Sequence, residues 1–120
     1  VATFSKITLS GSTDGRPIKV AATSIGSGTT IHTASTTTSV YDEIWLYAMN
    51  SHTSNVKLTL GWGGTSDPDD LIELTITAES GLVLVAPGLL LKGNATALIV
   101  KAAAASANYI TLHGYVNRIT

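Results

Sequence analysis

The sequence predicts an all-β fold, an antiparallel β-sandwich or jelly roll of about eight strands with an N-terminal extended arm, and three observations carry that prediction. From Val40 onward, runs rich in Val, Ile, Thr, Tyr and Trp are separated by short Gly, Asn, Asp and Pro punctuation. No useful length of sequence shows the 3.6-residue apolar period of an amphipathic helix. The chain has 120 residues, 44% of them hydrophobic and 12% charged, with a mean hydropathy of +0.30. That composition fits one compact core and lies far from that of disordered chains.

Composition changes near Ser39. The first zone is dense in Ser, Thr and Gly, with turn signals at Gly11 to Gly15 and at Gly26 to Gly28. Residues 1–15 read as an arm leaving the body or as an ordinary edge strand, with Phe4, Ile7 and Leu9 as its irregular apolar series. Residues 16–120 read as a single sandwich domain. Within it Ile18, Val20 and Ala22 alternate with Lys19, Ala21 and Thr23. Strands are then expected over residues 40–49, 55–62, 71–78, 82–86, 89–92, 96–104 and 109–118. Only the alanines of 102–105 favour helix by propensity. Leu98, Ile99 and Val100 lead into them as strand, and their small side chains admit another backbone at close range.

The strand faces carry the main functional signal. In residues 71–78, Ile72, Leu74, Ile76 and Ala78 oppose Glu73, Thr75 and Thr77, the pattern of a half-buried strand. Residues 41–49 show no such contrast, because Ile44, Leu46 and Ala48 oppose Trp45, Tyr47 and Met49. The last strand repeats this, with Ile110, Leu112 and Val116 opposite Tyr109, His113 and Tyr115. A domain of this size has one core, so a second apolar face predicts an interface. Its candidates are Phe4, Ile7, Leu9, Trp45, Tyr47, Met49, Tyr109, His113 and Tyr115. The competing arrangement buries the large residues under a loop from the N-terminal zone.

Catalytic chemistry has no candidate constellation. Asp67, Asp69 and Asp70 lack the glycine and closing Glu of a calcium loop, and Asp-Pro-Asp-Asp is a common turn start. His32, His52 and His113 share no metal-ligand spacing and read as turn caps or packed side chains. There is no G-x-S-x-G turn, and the glycines around Gly61 to Gly64 lack the P-loop Lys. The expectation is therefore no enzyme, no cofactor and no metal. A weaker alternative is sugar stacking on Trp45, Trp62 or an exposed Tyr.

Charge and cysteine content narrow the partners. Seven Lys and Arg against eight Asp and Glu give a net charge of −1, with no basic stripe for nucleic acid. The longest apolar stretch, residues 82–91, contains Pro87 and Gly88 and falls short of the roughly 20 residues that span a bilayer. No membrane partner is expected. The absence of cysteine removes disulfides and thiolate chemistry. The opening VATFSKITLSGS has neither the charged nor the apolar region of a secretory signal.

The strings DDLIELTITAESGLVLVAPGLLLKG and ASANYITLHGYVNRIT resemble those of small structural proteins encoded in the head-gene region of tailed bacteriophages, the capsid decoration or cement proteins. The likeness is strongest over residues 41–120, while the N-terminal zone matches only in style. The resemblance implies a β-rich virion protein on the capsid exterior, made in the host cytoplasm. It further implies a small symmetric homo-oligomer bound to the major capsid protein, often with a terminal arm. A trimer suits a threefold site on an icosahedral shell. A neck or tail component and a carbohydrate-binding module are the alternatives. No site residue transfers from the family, which has no chemical motif to match.

Overall fold

A computed structural model describes residues 2–120 as two packed antiparallel sheets. Nine strands follow in order: β1 Phe4–Thr8, β2 Ile18–Lys19, β3 Thr29–Thr33, β4 Tyr41–Asn50, β5 Val56–Trp62, β6 Leu71–Ile76, β7 Val83–Lys92, β8 Ile99–Ala104 and β9 Ile110–Ile119. The five-stranded sheet has the order β1-β9-β4-β7, with β2 also on β9. The four-stranded sheet has the order β3-β8-β5-β6. The all-β antiparallel sandwich read from the sequence is thus what the chain forms, with nine strands where about eight were expected.

Alternation sorts the side chains. Ile44, Leu46 and Ala48 of β4, Ile110, Leu112 and Val116 of β9, and Leu58 and Leu60 of β5 are fully buried. Those of β4 and β9 meet Leu58 and Leu60, together with Ile31, Val100 and Ala102, from the facing four-stranded sheet in one core. At about 25 cal/mol per Å² of apolar surface, each such Leu or Ile contributes on the order of 1.5–3 kcal/mol. The alanine segment is strand. Ala102 and Ala104 belong to the core cluster. The outward Ala103 is also buried, on a stretch where the Ala104 N–H meets the Ala22 carbonyl at 3.0 Å. The backbone admitted at close range is therefore the chain's own crossover.

Two expectations shift. The segments 82–86 and 89–92 are one strand, β7, with register shifts against β4 near Gly88 and near Val85. Pro87 is tolerated because β7 is an edge, where a missing N–H costs no ladder bond on the open side. Gly88 takes φ 75°, a conformation that side chains disfavour, and this accommodates the irregularity. At the N-terminus, β1 pairs with β9 over five residues, from Phe4 opposite Ile119 to Thr8 opposite Tyr115. The segment lies as an edge strand of the domain's own sheet, and Leu9, 2% exposed, sits in the core.

Buried polar groups fasten the sheets together at both ends of β4. Its core-facing series runs Asp42, Ile44, Leu46, Ala48, Asn50, all buried. Asn50 donates to the carbonyls of Ser54 and Ile76 at 3.1 and 3.0 Å and accepts the His52 N–H at 2.9 Å. At the other end Asp42 accepts from Arg118 of β9, Nε and Nη2 both at 2.8 Å, and meets His32 Nε2 of β3 at 2.7 Å. Because β3 and β6 are opposite edges of the four-stranded sheet, β4 crosses that sheet obliquely. Three strand spacings across, about 14 Å, over the stretch of β4 from Asp42 to Asn50, about 27 Å long, give an angle of roughly 30°, that of an aligned sandwich. Among the described residues, no buried side-chain polar atom lacks a partner.

Candidate functional site

Strand register turns the outer face of the five-stranded sheet into a set of rows. Phe4, Ile119, Tyr41 and Lys92 form the first, and Lys6, Asn117, Glu43 and Leu90 the second. Thr8, Tyr115, Trp45 and Pro87 form the third, His113, Tyr47 and Leu84 the fourth, and Lys19, Thr111 and Met49 the last. Trp45, Tyr47, Met49, His113 and Tyr115 are half-buried. The N-terminal zone extends this sheet at its edge through β1 and β2.

The two outer faces differ in kind. The large apolar side chains exposed among the described residues are Phe4, Tyr41, Leu82, Leu84, Leu89, Leu90 and Tyr109, and every one lies on or beside the five-stranded sheet. The opposite face presents Lys57, Thr59, Glu73, Thr75 and Lys101, with Lys57 and Glu73 paired at 3.1 Å. That pair borders a shallow groove with Thr23, Ile25 and Ala103 on its lining. The four-stranded face is polar, whereas the five-stranded face sets large apolar side chains among Lys6, Lys19, Glu43 and Lys92.

Local contacts hold the aromatic centre flat. The Trp45 and Tyr115 rings lie 6.3 Å apart and within 14° of parallel. Trp45 Nε1 donates to Glu43 Oε1 at 2.8 Å, and Asn117 Nδ2 donates to the same oxygen at 3.0 Å. These two hydrogen bonds hold the Glu43 carboxyl below its ordinary pKa. A β-carbon on Gly88 would come within 3.0 Å of Trp45 Cε2 and Cζ2, so glycine gives the indole its bed on β7. The Lys6 ammonium lies 4.8 Å from the Tyr115 ring centroid, a cation–π contact. His113 Nε2 meets Thr111 Oγ1 at 3.1 Å, and partial burial pushes the imidazole below its ordinary value.

The structure thus brings Phe4, Trp45, Tyr47, Met49, His113 and Tyr115 onto one face. Tyr109 lies just before β9, edge-on to His52 at 4.1 Å, in the turn region where His52 Nδ1 accepts the Ser54 N–H. Two candidates do not belong to the face. Leu9 is a core residue, and Ile7, opposite the buried Val116, packs against the core because it has the inward parity of β1. Trp62 also packs on the core, with its Nε1 3.4 Å from the Leu90 carbonyl. Asp67 to Asp70 form a turn, closed by the Asp70 N–H to the Ser66 carbonyl at 2.9 Å and the Ser66 N–H to Asp70 Oδ2 at 3.1 Å.

Sequence reasoning missed Tyr41, Leu82, Leu84 and Leu90 as parts of the face. A two-residue period could not have found Leu84 and Leu90, because the register shifts at Val85 and Gly88 turn Leu84, Pro87 and Leu90 outward while Ala86 stays buried. The inward charges were legible: Asp42 and Arg118 continue the core parities of β4 and β9 and stand opposite one another in register. Comparison with protein-family models, curated proteins and solved structures gives no match to this chain.

Proposed function

We propose that this protein is a virion structural protein that binds the outside of a tailed-bacteriophage capsid as a decoration or cement protein. The observation that carries the reading is that the large exposed apolar side chains among the described residues all lie on the five-stranded sheet or at its margins, with Phe4, Tyr41, Leu84 and Leu90 on its outer face. Three ten-residue strands, with the shorter β1 and β2 together forming a fourth width, give that face about 600 Å² in projection. A standard protein interface buries about 800 Å² per partner, so the face is of the size that association requires. Low charge and a flat aromatic centre suit contact with protein, where Trp and Tyr commonly anchor binding. The resemblance of residues 69–93 and 105–120 to head-gene decoration proteins supplies the virion context.

In this reading the chain forms a closed homo-oligomer, a trimer for a threefold site, and seats on the major capsid protein. Cementing is then binding energy added across neighbouring shell subunits. Local loosening of the shell must break these contacts as well, and many copies act together. The test is cosedimentation of the purified protein with empty shells of the phage that encodes it, with the native mass measured in parallel. Saturable binding that Leu84→Glu and Leu90→Glu abolish supports the reading. Binding that survives both substitutions, or no binding to the shell, overturns it.

The parallel Trp45 and Tyr115 rings beside Glu43 and Asn117 carry a second reading, stacking of a sugar ring on the same face. Glycan-array binding by the isolated protein, lost in Trp45→Ala, would favour it over the capsid reading.

A further inference from the structure

The polar cluster at the Asp42 end of β4 contains a histidine whose hydrogen bonds fix its protonation state. His32 is 1% exposed. Its Nδ1 lies 3.1 Å from the backbone N–H of Ser10, which can only donate, so Nδ1 is an unprotonated acceptor. The ring proton is therefore on Nε2, which donates to Asp42 Oδ2 at 2.7 Å. Asp42 is already neutralised by Arg118 through two contacts of 2.8 Å. A second proton on His32 would meet the Ser10 N–H head-on and leave the buried cluster with one uncompensated positive charge.

Ser10 belongs to the turn that leaves β1 and docks across onto β3. Three backbone amides make that docking: Ser10 N–H to His32 Nδ1, Gly11 N–H to the Ile31 carbonyl at 2.9 Å, and Thr33 N–H to Ser10 Oγ at 2.6 Å. A β-carbon on Gly11 would stand 2.3 Å from the Thr30 carbonyl oxygen, so the turn backbone lies directly on the strand. We propose that Ser10, His32, Asp42 and Arg118 form an acid-release latch, which ties the N-terminal segment to the four-stranded sheet at neutral pH and frees it when His32 takes a second proton.

Burial pushes the His32 imidazole below its ordinary value of 6.5, and the Arg118 charge pushes the same way; together these prevail over the hydrogen bond and charge of Asp42. Asp42 and Arg118 are the charged groups that act on the ring. With the folded value depressed, the open state binds the proton first. The latch is therefore at full strength above about pH 6.5 and weakens as pH falls from there toward the folded value. Burial alone would raise the Asp42 carboxyl, but the hydrogen bonds from Arg118 and His32 outweigh it and hold the group low. Its own titration falls below this window. His113 is also depressed, so a bulk melting curve needs a variant or a site-resolved readout.

The experiment is amide hydrogen exchange on the whole chain between pH 7.5 and 4.5, corrected for intrinsic rates. The protection of Ser10, Gly11 and Thr33 should fall by up to tenfold per pH unit below about 6.5, while β5 and β8 amides keep theirs. In His32→Asn, Asn Oδ1 still accepts from Ser10 but does not titrate, and this dependence should flatten. Imidazole nitrogen shifts of the wild type provide a measurement that needs no variant, with a neutral Nε2–H tautomer expected at pH 6. A His32 imidazolium at pH 6, or parallel loss of protection in wild type and His32→Asn, overturns the latch.

Discussion

Leu9→Ala tests whether the N-terminal segment is part of the body. Leu9 is 2% exposed and belongs to the core cluster, directly after a strand paired over five residues with β9. Truncating a buried Leu costs roughly 2–5 kcal/mol, the upper end applying where neighbours cannot collapse into the space. Here the flanking turn is fixed by the Ser10, Gly11 and Ser12 amides, the last donating to the Leu9 carbonyl at 2.9 Å. Little collapse is available, so about 3–4 kcal/mol is expected. With an unfolding entropy of about 2.1 cal/mol/K per residue, that lowers Tm by roughly 12–16 °C in a domain of this size. Calorimetry at neutral pH provides the assay, and Phe4→Ala, at a side chain 71% exposed in the same segment, provides the control. Phe4→Ala should change stability by less than about 0.5 kcal/mol. An unaltered Tm in Leu9→Ala would show that residues 2–12 are an arm after all and that the edge-strand pairing is wrong.

Three further outcomes follow from the same geometry. Asp42→Ala leaves the Arg118 charge and the His32 Nε2–H without their partner, and chemical denaturation should show a loss of about 3–5 kcal/mol, of which Arg118→Met in the same chain restores part. Trp45→Glu places a second carboxylate beside Glu43 at the centre of the apolar face; sedimentation should show the proposed oligomer dissociating, with far-ultraviolet circular dichroism unchanged. Gly114→Ala would set a β-carbon 1.9 Å from the Trp45 carbonyl oxygen, at φ 152°, so the β4–β9 ladder must part. Exchange of β4 and β9 amides should rise before those of β5 and β8.

The sequence by itself determined the layers and most of the strands, because a two-residue period of apolar side chains can be satisfied only on a half-buried sheet. It also determined that β4 and β9 carry apolar residues on both faces, since Trp45, Tyr47 and Met49 against Ile44, Leu46 and Ala48 is a property of composition and parity alone. The outward placing of Trp45, Tyr47 and Met49 was also read from the sequence, and the tertiary structure shows the fit behind it. Ile44 and Leu46 fit the facing Leu58, Leu60 and Val100, while the bulkier Trp45 and Tyr115 found room over Gly88 and beside one another on the outside. Tertiary structure decided the place of the N-terminal segment, because pairing with β9 joins residues more than a hundred positions apart and no local pattern encodes that register. The same holds for the latch. His32, Asp42 and Arg118 lie on three strands of two sheets, and only the packing of those sheets turns three separated polar residues into one buried cluster with its charges compensated.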